Sequence, residues 1–195
     1  MLECIRRCHE RGGLIAGTSA GAAIMSGPMI FSGTSLNALS RGATETADAD
    51  DYDTFRVGRG LGFFSWGLVD QHFLQRGRIG RLLAACRELN QPLAYGIDEN
   101  SALLVSGDRA SVIGETGVIL LDLRKARFDE DGYDIRNARV SYLDDGDAVD
   151  LVRGRGAAEC PGGAVVVGVD HMGAAPRLPV PFAPAQVVIA GDDEA

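Results

Sequence analysis

The sequence predicts an α/β fold with a sharp strand-to-helix turn near its start, and three observations carry that prediction. Short apolar runs alternate with stretches of helical periodicity. Gly17-Thr18-Ser19-Ala20-Gly21 joins one such run to a helical stretch. A second run, Leu61 to Val69, is followed by helically spaced apolar residues between Gly77 and Asn90.

Taken in order, residues 1–11 read as a helix with Leu2, Ile5 and Cys8 on one side, closed by Gly12-Gly13 where helices often end in a left-handed residue. Leu14-Ile15-Ala16 reads as a strand, Gly17 to Gly21 as a tight turn and Ala22 to Met25 as the start of a second helix. From Phe31 to Gly60 the chain is polar and turn-rich, with Glu45, Asp48, Asp50, Asp51 and Asp53 crowded together, and reads as a long surface loop. The run from Leu61 ends in Val69-Asp70-Gln71-His72-Phe73, and Ile79, Leu82, Leu83, Cys86 and Leu89 then keep helical spacing.

Leu93 to Ile97 and Ala102 to Val105 read as strands flanking Asp98-Glu99-Asn100, and Ser111 to Asp122 as a hairpin turning at Gly114 to Gly117. Arg139 to Leu143 and Ala148 to Val152 suggest two more strands. The Gly, Ala and Pro content then rises, so residues 1–153 read as the folded domain and 154–195 as a loosely packed tail with β-prone patches at 164–169 and 186–190.

With 195 residues, 46% hydrophobic and 24% charged, the chain can bury one core. A net charge of −8 repels phosphates and anionic lipid, so neither nucleic acid nor a membrane is an expected partner, and a cationic substrate is favoured. The opening residues are too charged for a secretory signal and no run of about 18 apolar residues occurs, which makes the cytoplasm the expected address. Cys4, Cys8, Cys86 and Cys160 match neither a zinc knuckle nor a disulfide framework and read as reduced thiols. No metal or other cofactor is expected.

Gly17 to Gly21 fits the G-x-S-x-G nucleophile elbow, whose strained turn projects a serine hydroxyl while the next N–H faces a developing oxyanion. That makes Ser19 a candidate nucleophile and Ala20 an oxyanion donor; the competing reading is a helix N-cap serine among packing glycines. His72, one of three histidines, sits at a strand end and is the candidate base, with His9 and His171 in weaker contexts. Glu99 is the candidate acid that orients the base, and Asp98 is its rival. The order serine, histidine, acid differs from the serine, acid, histidine order of α/β-hydrolases. Arg76, Arg78 and Arg81 suit a carboxylate clamp, or simply a solvated helix start.

Together, GGLIAGTSAGAAIMSG, VDQHFLQRGRIGRLL and YGIDENSALLV, in that order, resemble the cyanophycinases, serine peptidases related to aspartyl dipeptidase. The resemblance implies a flavodoxin-like fold similar to the class I glutamine amidotransferase domain, with a mostly parallel sheet and flanking helices. It implies Ser19 as nucleophile, His72 as base and Glu99 as acid, with Asp70, Gln71, Arg76, Arg78 and Arg81 lining the pocket. The implied reaction is metal-independent cleavage of cyanophycin, an arginine-bearing polyaspartate, to β-aspartyl-arginine dipeptides through an acyl-enzyme. Alternatives are an aspartyl dipeptidase-like activity, or a non-catalytic remnant serving as a subunit or binding module. Family members begin with further strand–helix units, so the early strands and a glycine-rich turn completing the oxyanion hole are expected to be missing here. For partners, the reading names the peptide substrate and a homodimer.

Overall fold

The computed structural model describes residues 1–43, 52–129, 134–157 and 186–190. Helix α1 spans Leu2–Glu10, and Gly12 adopts φ 89° just beyond it, as the glycine pair predicts. Strand β1 (Ile15–Thr18) passes through Ser19 into a short helix, α2 (Ala20–Ala23). Strand β2 (Pro28–Ser32), helix α3 (Ser35–Arg41) and strand β3 (Arg56–Arg59) occupy much of the segment expected to be one long loop. The Thr34 hydroxyl caps α3 by accepting the Asn37 N–H at 3.2 Å. This helix leaves little apolar signal because Ala38 is its one buried residue. Of the acidic cluster, residues 45–51 lie outside the described residues.

Strand β4 (Leu68–Gln71), helix α4 (Ile79–Glu88) and strand β5 (Leu93–Ile97) form a βαβ unit. Its strands are parallel, with Leu68 opposite Ala94 and Gln71 opposite Ile97. Strands β6 (Ser101–Ser106) and β7 (Arg109–Gly114) make a hairpin turning at Gly107, and β8 (Val118–Asp122) leaves them to pair with β5. The hairpin expected between Ser111 and Asp122 therefore does not form. Val118 and Leu120 pack on one face of β8 and Ile119 and Leu121 on the other. A strand buried on both faces belongs in the middle of a sheet.

Strands β9 (Arg127–Phe128), β10 (Ile135–Arg136), β11 (Arg139–Leu143), β12 (Ala148–Asp150), β13 (Arg155–Ala157) and β14 (Gln186–Ala190) follow. The β-prone patch at 186–190 is thus a strand whose backbone pairs with β1 on one side and β6 on the other. The patch at 164–169 lies outside the described residues.

The strands build two main sheets, in the orders β11-β8-β5-β4 and β1-β14-β6-β7-β12-β13, beside the small pairs β2-β3 and β9-β10. The expected mostly parallel sheet needs correcting. Among the described residues only β4/β5 and β1/β14 pair in parallel, and every other pairing is antiparallel. The reason is connection length, since a parallel neighbour needs a crossover such as α4, and the two residues between β6 and β7 permit only a hairpin.

Three layers result. Val69, Tyr95, Ile97, Val118 and Leu120 of the four-stranded sheet pack against Leu103, Val105 and Val112 of the six-stranded sheet. On the other face, Leu68, Ala94, Ile119 and Leu121 pack against Leu82, Ala85 and Cys86 of α4 and Ala38 of α3. The period-two alternation of these strands thus supplies both interfaces at once.

Tyr95 sits in the first interface with its ring edge-on to Phe64, centroids 5.2 Å apart. Its hydroxyl is buried and meets no hydrogen-bond partner among the described residues, and burial pushes its pKa up. An unsatisfied buried hydroxyl costs about 1–3 kcal/mol. Tyr95→Phe is therefore expected to leave stability unchanged or raise it by about 1 kcal/mol in urea unfolding. A loss of that size would reveal a partner for the hydroxyl.

Candidate active site

The candidate residues converge at the carboxyl ends of β1, β4 and β5, where parallel strands of an α/β fold commonly present a site. Each is delivered by a different local device. Ser19 has φ 50° and ψ −119°, a left-handed backbone that costs a non-glycine residue roughly 1–3 kcal/mol. That turn swings the hydroxyl out of the strand before α2 begins. Gly17 is what lets strand and helix come so close, because a Cβ there would lie 2.1 Å from the Gly21 carbonyl oxygen. As first residue of α2, Ala20 has an N–H with no partner inside the helix, available to an oxyanion.

His72 follows β4 directly and is also left-handed, at φ 45°. Its ring is almost fully enclosed, with 1% of the side chain exposed, whereas Glu99 keeps 17%. Since Gln71 lies beside Ile97 in the parallel register, the residues that follow each strand are neighbours too. The result is a chain of two short hydrogen bonds. His72 Nδ1 donates to Glu99 Oε1 at 2.7 Å, and the Ser19 hydroxyl donates to His72 Nε2 at 2.9 Å. The carboxylate can only accept, so it fixes the imidazole proton on Nδ1 and leaves Nε2 as the acceptor that a base requires. The arrangement can withdraw a proton from Ser19 and hold the imidazolium that forms.

Glu99 is itself held, because the Thr116 hydroxyl donates to its carbonyl and shares a 2.6 Å hydrogen bond with the Ser101 hydroxyl. Asp98, the rival acid, points elsewhere. Its Oδ1 accepts the Leu74 N–H at 2.6 Å, bracing the turn that leaves His72. Burial raises its pKa, with the hydrogen bonds from Leu74 and Phe73 opposing the shift. A carboxyl raised in this way contributes stability that is fully present below its unfolded pKa and lost as pH rises through its folded value. Asp98→Asn keeps an acceptor for Leu74 without the charge. Its melting temperature relative to the parent is expected to climb as pH rises from below the carboxyl range to neutrality; a flat difference would mean that burial does not raise the Asp98 pKa.

The other predicted residues separate into two groups. Asp70 and Arg81, expected to line the pocket, form a pair of their own. Both are buried and grip each other through a fork, Arg81 Nε to Asp70 Oδ2 at 2.8 Å and Arg81 Nη2 to Asp70 Oδ1 at 2.5 Å. Arg81 Nη1 also donates to the Gly33 carbonyl at 2.9 Å. The side-chain exposures of Asp70 and Arg81 are 0% and 6%. Gln71 and Arg78 lie nearer the surface, where Arg78 Nη1 donates to the Gln71 carbonyl at 2.7 Å and to its side-chain oxygen at 2.8 Å. Arg76 is exposed.

Sequence reasoning missed two supports. The Ser26 hydroxyl donates to the Pro28 carbonyl at 2.6 Å and accepts the Val69 N–H at 3.3 Å, tying the end of α2 to β4. Gly96 lies under the Phe73 ring, 2.3 Å from where a Cβ would be, so the residue after His72 can close over the sheet. Nothing marks Ser26 in the sequence, while an isolated glycine inside a strand is a signal of such close approach. Among the described residues, no three His, Cys, Asp or Glu side chains gather to hold a metal, and no helix is long and apolar enough to cross a membrane.

Comparison with known proteins gives a consistent result. The family model described as Peptidase family S51 matches residues 1–113. A cyanophycinase of Synechococcus elongatus is 33% identical over 150 residues, which is 73% of this chain and 43% of that protein. A cyanophycinase of Geminocystis herdmanii is 32% identical over 156 residues, 75% of this chain and 53% of the relative. One from Trichormus variabilis is 36% identical over 125 residues, 63% and 38% respectively. The chain thus spans about half the length, or less, of the curated relatives it matches. With a family match over more than half its length and the serine of that match hydrogen-bonded to a histidine and through it to a glutamate, the chain belongs to Peptidase family S51.

Proposed function

We propose that this chain carries the catalytic residues of a cyanophycinase-like serine peptidase that releases β-aspartyl-arginine dipeptides from cyanophycin. The observation that supports it best is the hydrogen-bonded series Ser19, His72, Glu99, assembled from three strand ends. In this reading Ser19 attacks the aspartyl carbonyl carbon as His72 Nε2 takes its proton, and Glu99 stabilises the imidazolium. The Ala20 N–H donates to the oxyanion of the tetrahedral intermediate. Collapse expels the amine, protonated by His72, and leaves an acyl-serine; water activated by the same histidine then frees the acid and restores Ser19.

Gln71 and Arg78, joined at the edge of the site, and the exposed Arg76 are proposed to meet the carboxylates of the substrate. Asp70 and Arg81 act from beneath, fixing β4 and α4. The negative net charge favours an arginine-bearing polymer over an anionic one. The proposed address is the cytoplasm.

The test is incubation of purified cyanophycin with this 195-residue chain, beside Ser19→Ala and a serine-reactive inhibitor, with dipeptide release followed by mass spectrometry. Release that both controls remove supports the proposal. Hydrolysis confined to free dipeptides with an amino-terminal aspartate would replace it with the aspartyl dipeptidase reading, and a folded but inert chain with that of a binding module.

A further inference from the structure

Helix α1 sorts its residues onto two sides. Leu2, Ile5, Arg6 and His9 share one side at helical spacing. Leu2, Ile5 and His9 are half-buried, the His9 ring stands edge-on to Phe63 with centroids 5.7 Å apart, and Arg6 Nη2 donates to the Leu61 carbonyl at 3.3 Å. The opposite side carries Cys4, Arg7, Cys8 and Arg11, all four exposed, and both cysteines are free thiols. Each thiol thus has a guanidinium three residues further on, the spacing at which helical side chains are neighbours.

These four residues and Gly13 line an open cleft of about 490 Å³, within the range of small-molecule sites. Gly13 is what keeps the Cys8 thiol uncovered, because a Cβ there would lie 2.6 Å from its Sγ. The two arginines differ. Arg7 already pairs with Glu3 at 3.1 Å, whereas the Arg11 guanidinium meets no carboxylate among the described residues. Exposed thiols beside guanidinium groups are the setting in which cysteines react with disulfides.

We infer that this cleft is a modification site, in which Cys8 forms a mixed disulfide with a small disulfide whose carboxylates are held by Arg11 and Arg7. The Cys8 thiolate attacks one sulfur, a new S–S bond forms as the old one breaks, and the other half leaves as a thiolate that takes up the proton Cys8 gave up. The small disulfide is itself the oxidant, and excess thiol reverses the step. Cys8 is favoured over Cys4 because its neighbouring arginine is the one without a carboxylate partner. The cleft precedes β1 and Ser19 follows it, so the inference does not depend on the proposed activity.

The experiment compares two disulfides of opposite charge, oxidised glutathione and cystamine, on the 195-residue chain carrying Cys4→Ser, which removes the neighbouring thiol. Adduct formation is timed by mass spectrometry of the tryptic peptide that begins at Cys8. A net charge of −8 on its own would favour the cationic cystamine. The local arginines are expected to reverse this, with glutathione reacting at least about fivefold faster. Arg11→Gln, an exposed replacement whose fold is checked by circular dichroism, is expected to abolish that preference. No adduct on Cys8, a rate with cystamine equal to or above that with glutathione, or a preference that Arg11→Gln leaves unchanged would each overturn the proposal.

Discussion

Ser19→Ala is expected to abolish dipeptide release, with a loss on the order of 10⁶-fold in turnover by analogy with nucleophile removal in other serine peptidases. Its effect on folding should be slight by comparison. The left-handed backbone at Ser19 is strained for any residue with a Cβ, and alanine has the same Cβ, so the melting temperature should stay close to the parent's. Ser19→Gly should be more stable than Ser19→Ala by about 1 kcal/mol, because glycine adopts that φ without penalty. This pair of variants separates chemistry from fold: both lose activity, and only one gains stability. Residual turnover near the parent rate in either variant would remove Ser19 from the role of nucleophile.

The second large effect is structural. Arg81→Leu is expected to cost about 3–5 kcal/mol in urea unfolding, since it leaves the Asp70 carboxylate buried with its partner gone and strands the Gly33 carbonyl. Much of that loss should be recovered when Asp70→Val is added, because two apolar side chains bury without an uncompensated charge. The cycle is informative in both directions. A loss under about 1 kcal/mol for Arg81→Leu would mean that water reaches the pair, and would reopen the site as a place where substrate carboxylates bind.

That pair also shows why part of the site was legible in the sequence and part was not. Ser19 stands out because the elbow has fixed spacing, whereas His72 and Glu99 stand out through the ordered motifs that resemble the cyanophycinases. Asp70, at the end of β4, and Arg81, in the first turn of α4, stand 11 residues apart, and spacing alone does not distinguish a pair that grips itself from one that grips a ligand. Asp98 and Glu99 are adjacent and chemically alike, and only the direction in which the turn after β5 points them assigns one to His72 and the other to Leu74.

The same limit governs the fold. The β4-α4-β5 unit is readable since its apolar residues repeat with the right periods, and the two residues between β6 and β7 allow only a hairpin. Which runs pair is another matter. Ser111 to Asp122 has the composition of a hairpin, yet Val118 to Leu121 has two apolar faces to bury, and a hairpin beside β7 would satisfy only one of them. Helix α3 escaped notice for the opposite reason, burying so little that its period never rises above the polar background.

The nucleophile is mounted on the six-stranded sheet, whereas the base and acid are mounted on the four-stranded one. The 2.9 Å contact between Ser19 and His72 therefore bridges a seam, and it is only as short as the seam is tight. Loosening of the two layers by heat, mild urea or a cavity at Tyr95 would separate hydroxyl from imidazole while each sheet still kept its own ladder of hydrogen bonds. Inactivation should accordingly precede the loss of far-ultraviolet dichroism, making turnover the most sensitive gauge of how firmly the layers are pressed together.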